Sequence, residues 1–348
     1  MAFIYPRQTA NATNGNVASI ELFASSSGLY TIPIEIGTPP QSLWPVLDTG
    51  STDFWVWSSL LPADNITYHG DYFNVSASTT AQVVATRSYD TGDTYGPVWQ
   101  DTIIVGTVIN NSPTYPIGLA ESIDDYWFYT NDVDGVFGFG LSVYDSEYPD
   151  PHQTWLMNTT LASSLFAISL SANSTSSIDF GYVNNSRHTG TVNYAPVGPA
   201  ALNATPSWHF TWGGFAIGSG TQNLTSKVNI EVDTGLNFVK LPDSIAASYY
   251  ALVPGAIFNT NVASYEYPCS FPLPTFTFVV NGSGLVVPGG VQLQFGGPLA
   301  DNITCYGVIQ KSGDESTGIF GTPFLQGLYT VFDYGAKRLG FAPATSPN

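Results

Sequence analysis

"PVLDTGSTDFWVW", residues 45–57, runs two apolar residues into Asp48, turns on Thr49 and Gly50, and resumes an apolar run at Phe54, Trp55 and Val56. A carboxylate held on a tight glycine turn between two strands is a candidate for acid–base chemistry. The same Asp-Thr-Gly tripeptide recurs in "IEVDTGLNFVKLP", residues 230–242, and in "RSYDTGDTYG", residues 87–96. A catalyst built on two carboxylates has one copy too many.

The surrounding sequence separates them. Asp48 and Asp233 each follow hydrophobic residues and precede a strand-like apolar run, and Asp90 does not. Farther on come "DGVFGFG", residues 134–140, with Val136, Phe137 and Gly138, and "TGIFGTP", residues 317–323, with Ile319, Phe320 and Gly321. From Asp48 to Gly138 is 90 positions, and from Asp233 to Gly321 is 88. Two signals in the same order at nearly the same spacing make an internal repeat. Asp48 and Asp233 are therefore equivalent residues of two related lobes.

The 348 residues are 43% hydrophobic, enough for a sizeable core, while charged residues make up only 10% and aromatic ones 14%. This composition suits strands better than helices. Segments such as "YTIPIEIG", "QDTIIVGTVI", "SIDFGYV", "TFTFVVNG" and "GLVVPGGVQLQF" are β-branched or aromatic and bounded by Gly, Pro or Asn, as strands between turns are. Helices are expected at "PDSIAASYYALV", capped by Asp243 or Ser244, and as a short segment within "HQTWLMNTTLASSLF", residues 152–166.

A net charge of −18, from 8 Lys+Arg against 26 Asp+Glu, argues against nucleic acid and anionic membranes as partners. A chain so poor in bases also avoids severe self-repulsion in acid, which suits work at low pH; mere solubility is the alternative reading. The histidines at 69, 152, 188 and 209 stand apart, and the two cysteines form no C-x-x-C pair, which argues against zinc. No cofactor or metal is expected. Sequons at Asn65, Asn74, Asn158, Asn173, Asn223, Asn281 and Asn302 point to a secretory route and N-linked glycans. In that oxidising setting Cys269 and Cys305 are expected to pair; two free buried thiols are the alternative. The first residues, "MAFIYPRQTANATNGN", hold too short an apolar run for a signal peptide, so any targeting segment is expected to have been removed. No stretch reaches the length of a membrane span, and the C-terminus lacks a hydrophobic tail for lipid anchoring.

These motifs resemble the pepsin-like aspartic proteases, most closely the secreted fungal branch. The resemblance runs from about Tyr30 onward and rests on "VLDTGSTDFWVW", "VDTG", the two hydrophobic-hydrophobic-Gly stretches, "SYDTGDTYG", "HTGTVNYAPV", the late cysteine pair and "YTVFDYGAKRLGFAPA". It implies a mostly β, bilobal fold with lobes at residues 1–198 and 199–348, a cleft between them and a β-hairpin flap. The implied protein is a secreted, extracellular, monomeric endopeptidase that hydrolyses polypeptides through Asp48, Asp233 and an activated water. Thr49, Gly50, Ser51, Thr234 and Gly235 would support the catalytic loops, with the two threonines bonded across the lobe junction. Tyr89 would be the flap tyrosine, meeting the Trp55 indole. Asp90, Thr91, Gly92 and Asp93 would form the hairpin tip near bound peptide; a merely solvated tip is the alternative for the two aspartates.

One departure stands out. Ser51 follows the first tripeptide, but Leu236 and Asn237 follow the second, where the family usually has a hydroxyl that donates to its aspartate. Without that donor Asp233 should hold its proton more firmly, unless Asn237 substitutes for it. The same departure supports an alternative of another class: a catalytically weakened or inactive pepsin-like protein that binds peptides. A carbohydrate-binding β-protein has only the aromatic content behind it.

Overall fold

The computed structural model describes residues 17–69, 71–90, 94–106, 109–124, 132–141, 161–172, 174–198, 207–221, 223–224, 227–287, 289, 293–295 and 298–345; of 85–90, 109–115 and 294–295 it describes the backbone alone. The chain is mostly β, and its central sheet draws strands from three distant parts of the sequence. The order across it is Asn193–Pro196, Arg338–Pro343, Leu328–Asp333, Leu165–Ser169, Ser176–Phe180 and Ala18–Ala24, all antiparallel. Its middle strands are buried at every position, so they read as continuous apolar runs rather than alternating ones. Alternate residues still divide between two faces. Phe166 stacks on Phe332, ring centres 4.6 Å apart, within the main core, while Leu165, Ala167, Tyr329 and Val331 form a separate cluster.

The two aspartate segments have the same local topology. Val46–Asp48 lies parallel to Gly135–Gly138, with Asp48 opposite Gly138, and Gly135–Gly138 is antiparallel to Phe54–Val56. In the second half Asn229–Val232 lies parallel to Thr317–Phe320, with Val232 opposite Phe320, and Thr317–Phe320 is antiparallel to Val239–Leu241. The correspondence extends one strand further. Phe54–Val56 pairs in parallel with Ile109–Leu119, as Val239–Leu241 does with Ile309–Lys311. The sequence repeat is thus a repeat of a folded unit, and the chain has the bilobal pepsin-like architecture.

The strand segments expected from composition are strands: Tyr30–Thr31 and Ile34–Ile36, Thr94–Val105, Ser176–Phe180, Phe276–Val280, Ser283–Val287 and Gln294–Phe295. The helix after Leu241 runs Asp243–Tyr250, but its N-cap is Pro242, which has no side chain to cap with. Asp243 and Ser244 lie inside the first turn. The Glu315 carboxylate, 71 residues away, instead accepts the Ser244 amide at 3.0 Å and its hydroxyl at 2.5 Å, placing negative charge at the helix N-terminus. Of the segment 152–166, within which the other short helix is expected, residues 152–160 lie outside the described residues. Its last two residues, Leu165 and Phe166, open the strand Leu165–Ser169, which the central sheet buries at every position. Cys269 and Cys305 form a disulfide with Cα atoms 5.1 Å apart. No helix among the described residues is long and apolar enough to cross a membrane.

Candidate active site

Each aspartate loop packs on a glycine, Gly138 at the end of the strand Gly135–Gly138 and Gly321 directly after the strand Thr317–Phe320. A Cβ added to Gly138 would stand 2.6 Å from the Ser51 carbonyl and 2.7 Å from that of Asp53, and one on Gly321 would overlap the Leu236 and Phe238 carbonyls. Only a residue without a side chain lets the strand lie that close. The contact is fixed by backbone bonds: Gly138 N–H donates to Asp53 O at 2.8 Å, Gly140 N–H to Ser51 O at 2.7 Å, and Thr322 N–H to Leu236 O at 2.8 Å.

The loops meet through their threonines. Thr49 N–H donates to Thr234 Oγ1 at 3.0 Å, and Thr234 N–H returns the bond to Thr49 Oγ1 at 3.1 Å. Each hydroxyl donates onward to a carbonyl of the opposite strand, Thr49 to Val232 O at 2.8 Å and Thr234 to Leu47 O at 2.5 Å. Both side chains are fully buried, and each hydroxyl is satisfied as donor and acceptor.

This junction brings Asp48 and Asp233 together. The Gly50 α-carbon packs on the Asp233 carboxyl, and that of Gly235 on the Asp48 carboxyl, so neither glycine has room for a methyl group. Asp48 Oδ1 accepts the Gly50 amide at 2.8 Å and Asp233 Oδ1 the Gly235 amide at 2.8 Å. The symmetry then breaks. Ser51 Oγ donates to Asp48 Oδ2 at 2.5 Å, whereas Leu236 offers Asp233 nothing. Asn237 does not replace the missing donor; its amide is committed to Ser27 O at 2.8 Å. Burial and then the adjacent Asp48, by charge and by hydrogen bonding, push the Asp233 pKa well above the ordinary carboxylate range, with a further upward contribution from Glu231. The Gly235 amide opposes the shift but does not offset it. Two abutting carboxyls with one holding its proton can accept a proton at one oxygen and donate one at another.

The third tripeptide is elsewhere. Gln82–Asp90 pairs with Thr94–Val105 as a hairpin, with Tyr89 opposite Gly96 and Asp90 opposite Tyr95. Thr91, Gly92 and Asp93 lie outside the described residues, as do the side chains of Tyr89 and Asp90. Trp55 is buried in the strand Phe54–Val56 and packs in a cluster with Trp57, Leu61, Ala120 and Val136.

Asp134 and Glu231 were not singled out by the sequence. Asp134, immediately before the strand Gly135–Gly138, accepts the Trp44 amide at 2.7 Å and pairs with buried His69 at 2.9 Å; its backbone carbonyl accepts the Trp57 amide at 2.9 Å. It thereby ties together the segments entering and leaving the first aspartate loop. His69 also stacks on Trp57, ring centres 3.8 Å apart. Glu231 faces His209 across a strand pair at 3.8 Å and adds negative potential behind Asp233. An acid directly before "GVFG" was the one available signal for Asp134. Among the described residues no group of His, Cys, Asp and Glu is arranged to hold a metal.

Two abutting carboxyls on paired glycine turns, at the junction of two repeated β units, define the class. The chain belongs to the eukaryotic aspartyl protease family, whose profile matches residues 29–344, and is a hydrolase of the pepsin-like endopeptidase type. It is 35% identical over 321 residues to penicillopepsin-3 of Penicillium janthinellum and 34% identical over 321 residues to aspergillopepsin-1 of Aspergillus clavatus, in each case covering 90% of this chain and 78% of the relative. To endothiapepsin of Cryphonectria parasitica it is 32% identical over 345 residues, covering 97% of this chain and 78% of the relative.

Proposed function

We propose that the protein is a secreted acid endopeptidase in which Asp48 and Asp233 are the catalytic pair. The abutment of the two carboxyls, with Gly50 and Gly235 packed against them and the Asp233 pKa raised, carries this reading. Asp48, which accepts the Ser51 hydroxyl and the Gly50 amide, takes a proton from a water held between the carboxyls. Asp233 donates its proton to the peptide carbonyl oxygen. Water attacks the carbonyl carbon directly, and no covalent enzyme intermediate forms. Thr49 and Thr234 act as positioning residues, keeping the carboxyls in register.

The substrate is an extended polypeptide lying between lobes 1–198 and 199–348, with the hairpin of Gln82–Asp90 and Thr94–Val105 as the flap. In this reading Tyr89 closes over the substrate and reaches the Trp55 indole, with Asp90, Thr91, Gly92 and Asp93 near the bound peptide. The protein acts as an extracellular monomer. Asn281 and Asn302, exposed on left-handed turns, are sequons that could carry glycans.

Cleavage of an unfolded protein at about pH 3 to 5, with and without a statine-type inhibitor, tests the reading against ordinary carboxylate titration. Inhibitor-sensitive hydrolysis supports it. Peptide binding with no turnover assigns the protein instead to the inactive, peptide-binding reading that Leu236 supports.

A further inference from the structure

A cavity of about 480 Å³ opens beside the segment that leaves the second aspartate loop. Phe238, Val262, Ala263 and Tyr306 give it apolar walls, and Lys240 and Lys311 line it as well. The charge runs against the rest of the molecule, since the whole chain has only 8 Lys+Arg against 26 Asp+Glu. Among the described residues Lys240 has no ion-pair partner; its ammonium lies 5.5 Å from the centre of the Phe238 ring. Lys311 reaches Asp243 only at 4.0 Å and lies over the Phe258 ring at 4.1 Å. Glu266 accepts the Asn259 amide at 2.9 Å, a neutral donor that leaves its charge in place, and among the described residues it forms no ion pair with either lysine. Lys240 therefore brings to the cavity a positive charge without an ion-pair partner among the described residues.

Its position relates it to the aspartates. Phe238 is the fifth residue after Asp233, and five residues span at most about 18 Å of extended chain. A substrate extended across the carboxyls covers the same distance with the same number of residues. We propose that this cavity binds the carboxylate side chain of a Glu or Asp in the polypeptide substrate, within about five residues of the scissile bond. The apolar walls take the side-chain methylenes, and Lys240 and Lys311 take the charge. The proposal rests on Asp48 and Asp233 being the catalytic pair, which fixes where the scissile bond lies.

The test uses acetylated, amidated peptides, so that no chain terminus supplies a carboxylate, with Glu moved one position at a time and Gln as its control. At pH 5.5 the Glu peptide should exceed its Gln counterpart about five-fold in kcat/KM at one position, the size of effect a partly exposed ion pair gives. The ratio should fall to one at about pH 3, where the substrate Glu, ordinarily titrating near 4.3, is protonated. It should also fall to one in the double variant Lys240→Gln, Lys311→Gln. A ratio near one at every position at pH 5.5, a preference that survives at pH 3, or one that survives in the double variant overturns the proposal. Calorimetric binding of the same peptides separates the two readings. Glu-selective binding without cleavage upholds the cavity and sinks the catalytic pair, whereas cleavage without selectivity sinks the cavity alone.

Discussion

Thr49 and Thr234 exchange amide-to-hydroxyl hydrogen bonds at 3.0 and 3.1 Å across the junction of the two lobes, 185 residues apart in sequence. Replacing either by Val keeps the volume but removes the partner of a buried amide and of a buried carbonyl, at a cost of about 1–3 kcal/mol for each group left unsatisfied. Thermal unfolding should show a lower midpoint for each variant, and kcat should fall because the carboxyls lose their register. The two hydroxyls serve different amides and different carbonyls, so the double variant should cost about the sum of the two. A cost far below the sum would show that the junction opens as one unit once either hydroxyl is gone.

Under the proposed mechanism Asp48→Asn and Asp233→Asn should each remove nearly all turnover, at least about 10³-fold, because each removes one of the two carboxyls it requires. Asp90→Asn, on the hairpin, should leave a working enzyme with altered sequence preference. Initial rates on an unfolded protein substrate compare the three directly. Equal loss in Asp90→Asn would show that the wrong copies have been paired.

Gly50→Ala tests the close approach of the loops. The added methyl group has no space beside the Asp233 carboxyl, so one loop must move away from the other. A displacement of order 1 Å at a reacting group lowers rates about 10²-fold. The expected result is a folded protein, by circular dichroism, with kcat reduced by that factor or more. Activity near that of the unaltered chain would place the carboxyls farther apart than the packing implies.

Leu236→Thr should supply Asp233 with the hydroxyl that Ser51 supplies to Asp48. The charged form of Asp233 gains a donor, so the pH–rate profile should move toward lower pH. Asn237 does not mask the effect, being bonded to Ser27 O. Leu236→Val, which matches Thr in shape but lacks the hydroxyl, separates hydrogen bonding from lost volume. If both variants leave the profile where it was, Leu236 does not tune the pair.

Stability should depend on pH through the same residue. The Asp233 pKa is raised on folding, so its protonated form contributes stability that is complete below the ordinary carboxylate pKa near 3.9 and is lost as pH rises through the folded value. Asp233→Asn cannot ionise and escapes this loss. The midpoint of thermal unfolding of the variant, relative to that of the unaltered protein, should therefore rise between pH 4 and pH 7. A constant difference across that range would show that Asp233 ionises without penalty.

Much of this was legible in the sequence because strand chemistry and glycine turns are local. Apolar runs beside Asp48 and Asp233 mark strands, and "VFG" and "IFG" at matching distances mark the repeat whose pairings the fold realises. Asp90 could be set aside on the same local grounds, since no apolar run leads into it. Leu236 likewise announced an unequal pair, because a side chain without a hydroxyl has no hydrogen bond to give, wherever it is placed.

Other features depend on which distant groups come together, and local pattern carries no record of that. The N-terminus of the helix Asp243–Tyr250 is satisfied by Glu315, from far along the chain, and not by a residue beside it. Leu165–Ser169 shows no alternating pattern because the central sheet buries both of its faces. Asn237 looked able to serve Asp233 until the fold brought Ser27 within reach of its amide. Asp134 ties together Trp44, Trp57 and His69, and Lys240 and Lys311 meet at one cavity, for the same reason. The sequence by itself determined the strands, the repeat and the identity of the two equivalent aspartates. Only the tertiary structure decided their partners, because hydrogen bonding, burial and charge act over a few ångströms of space regardless of distance along the chain.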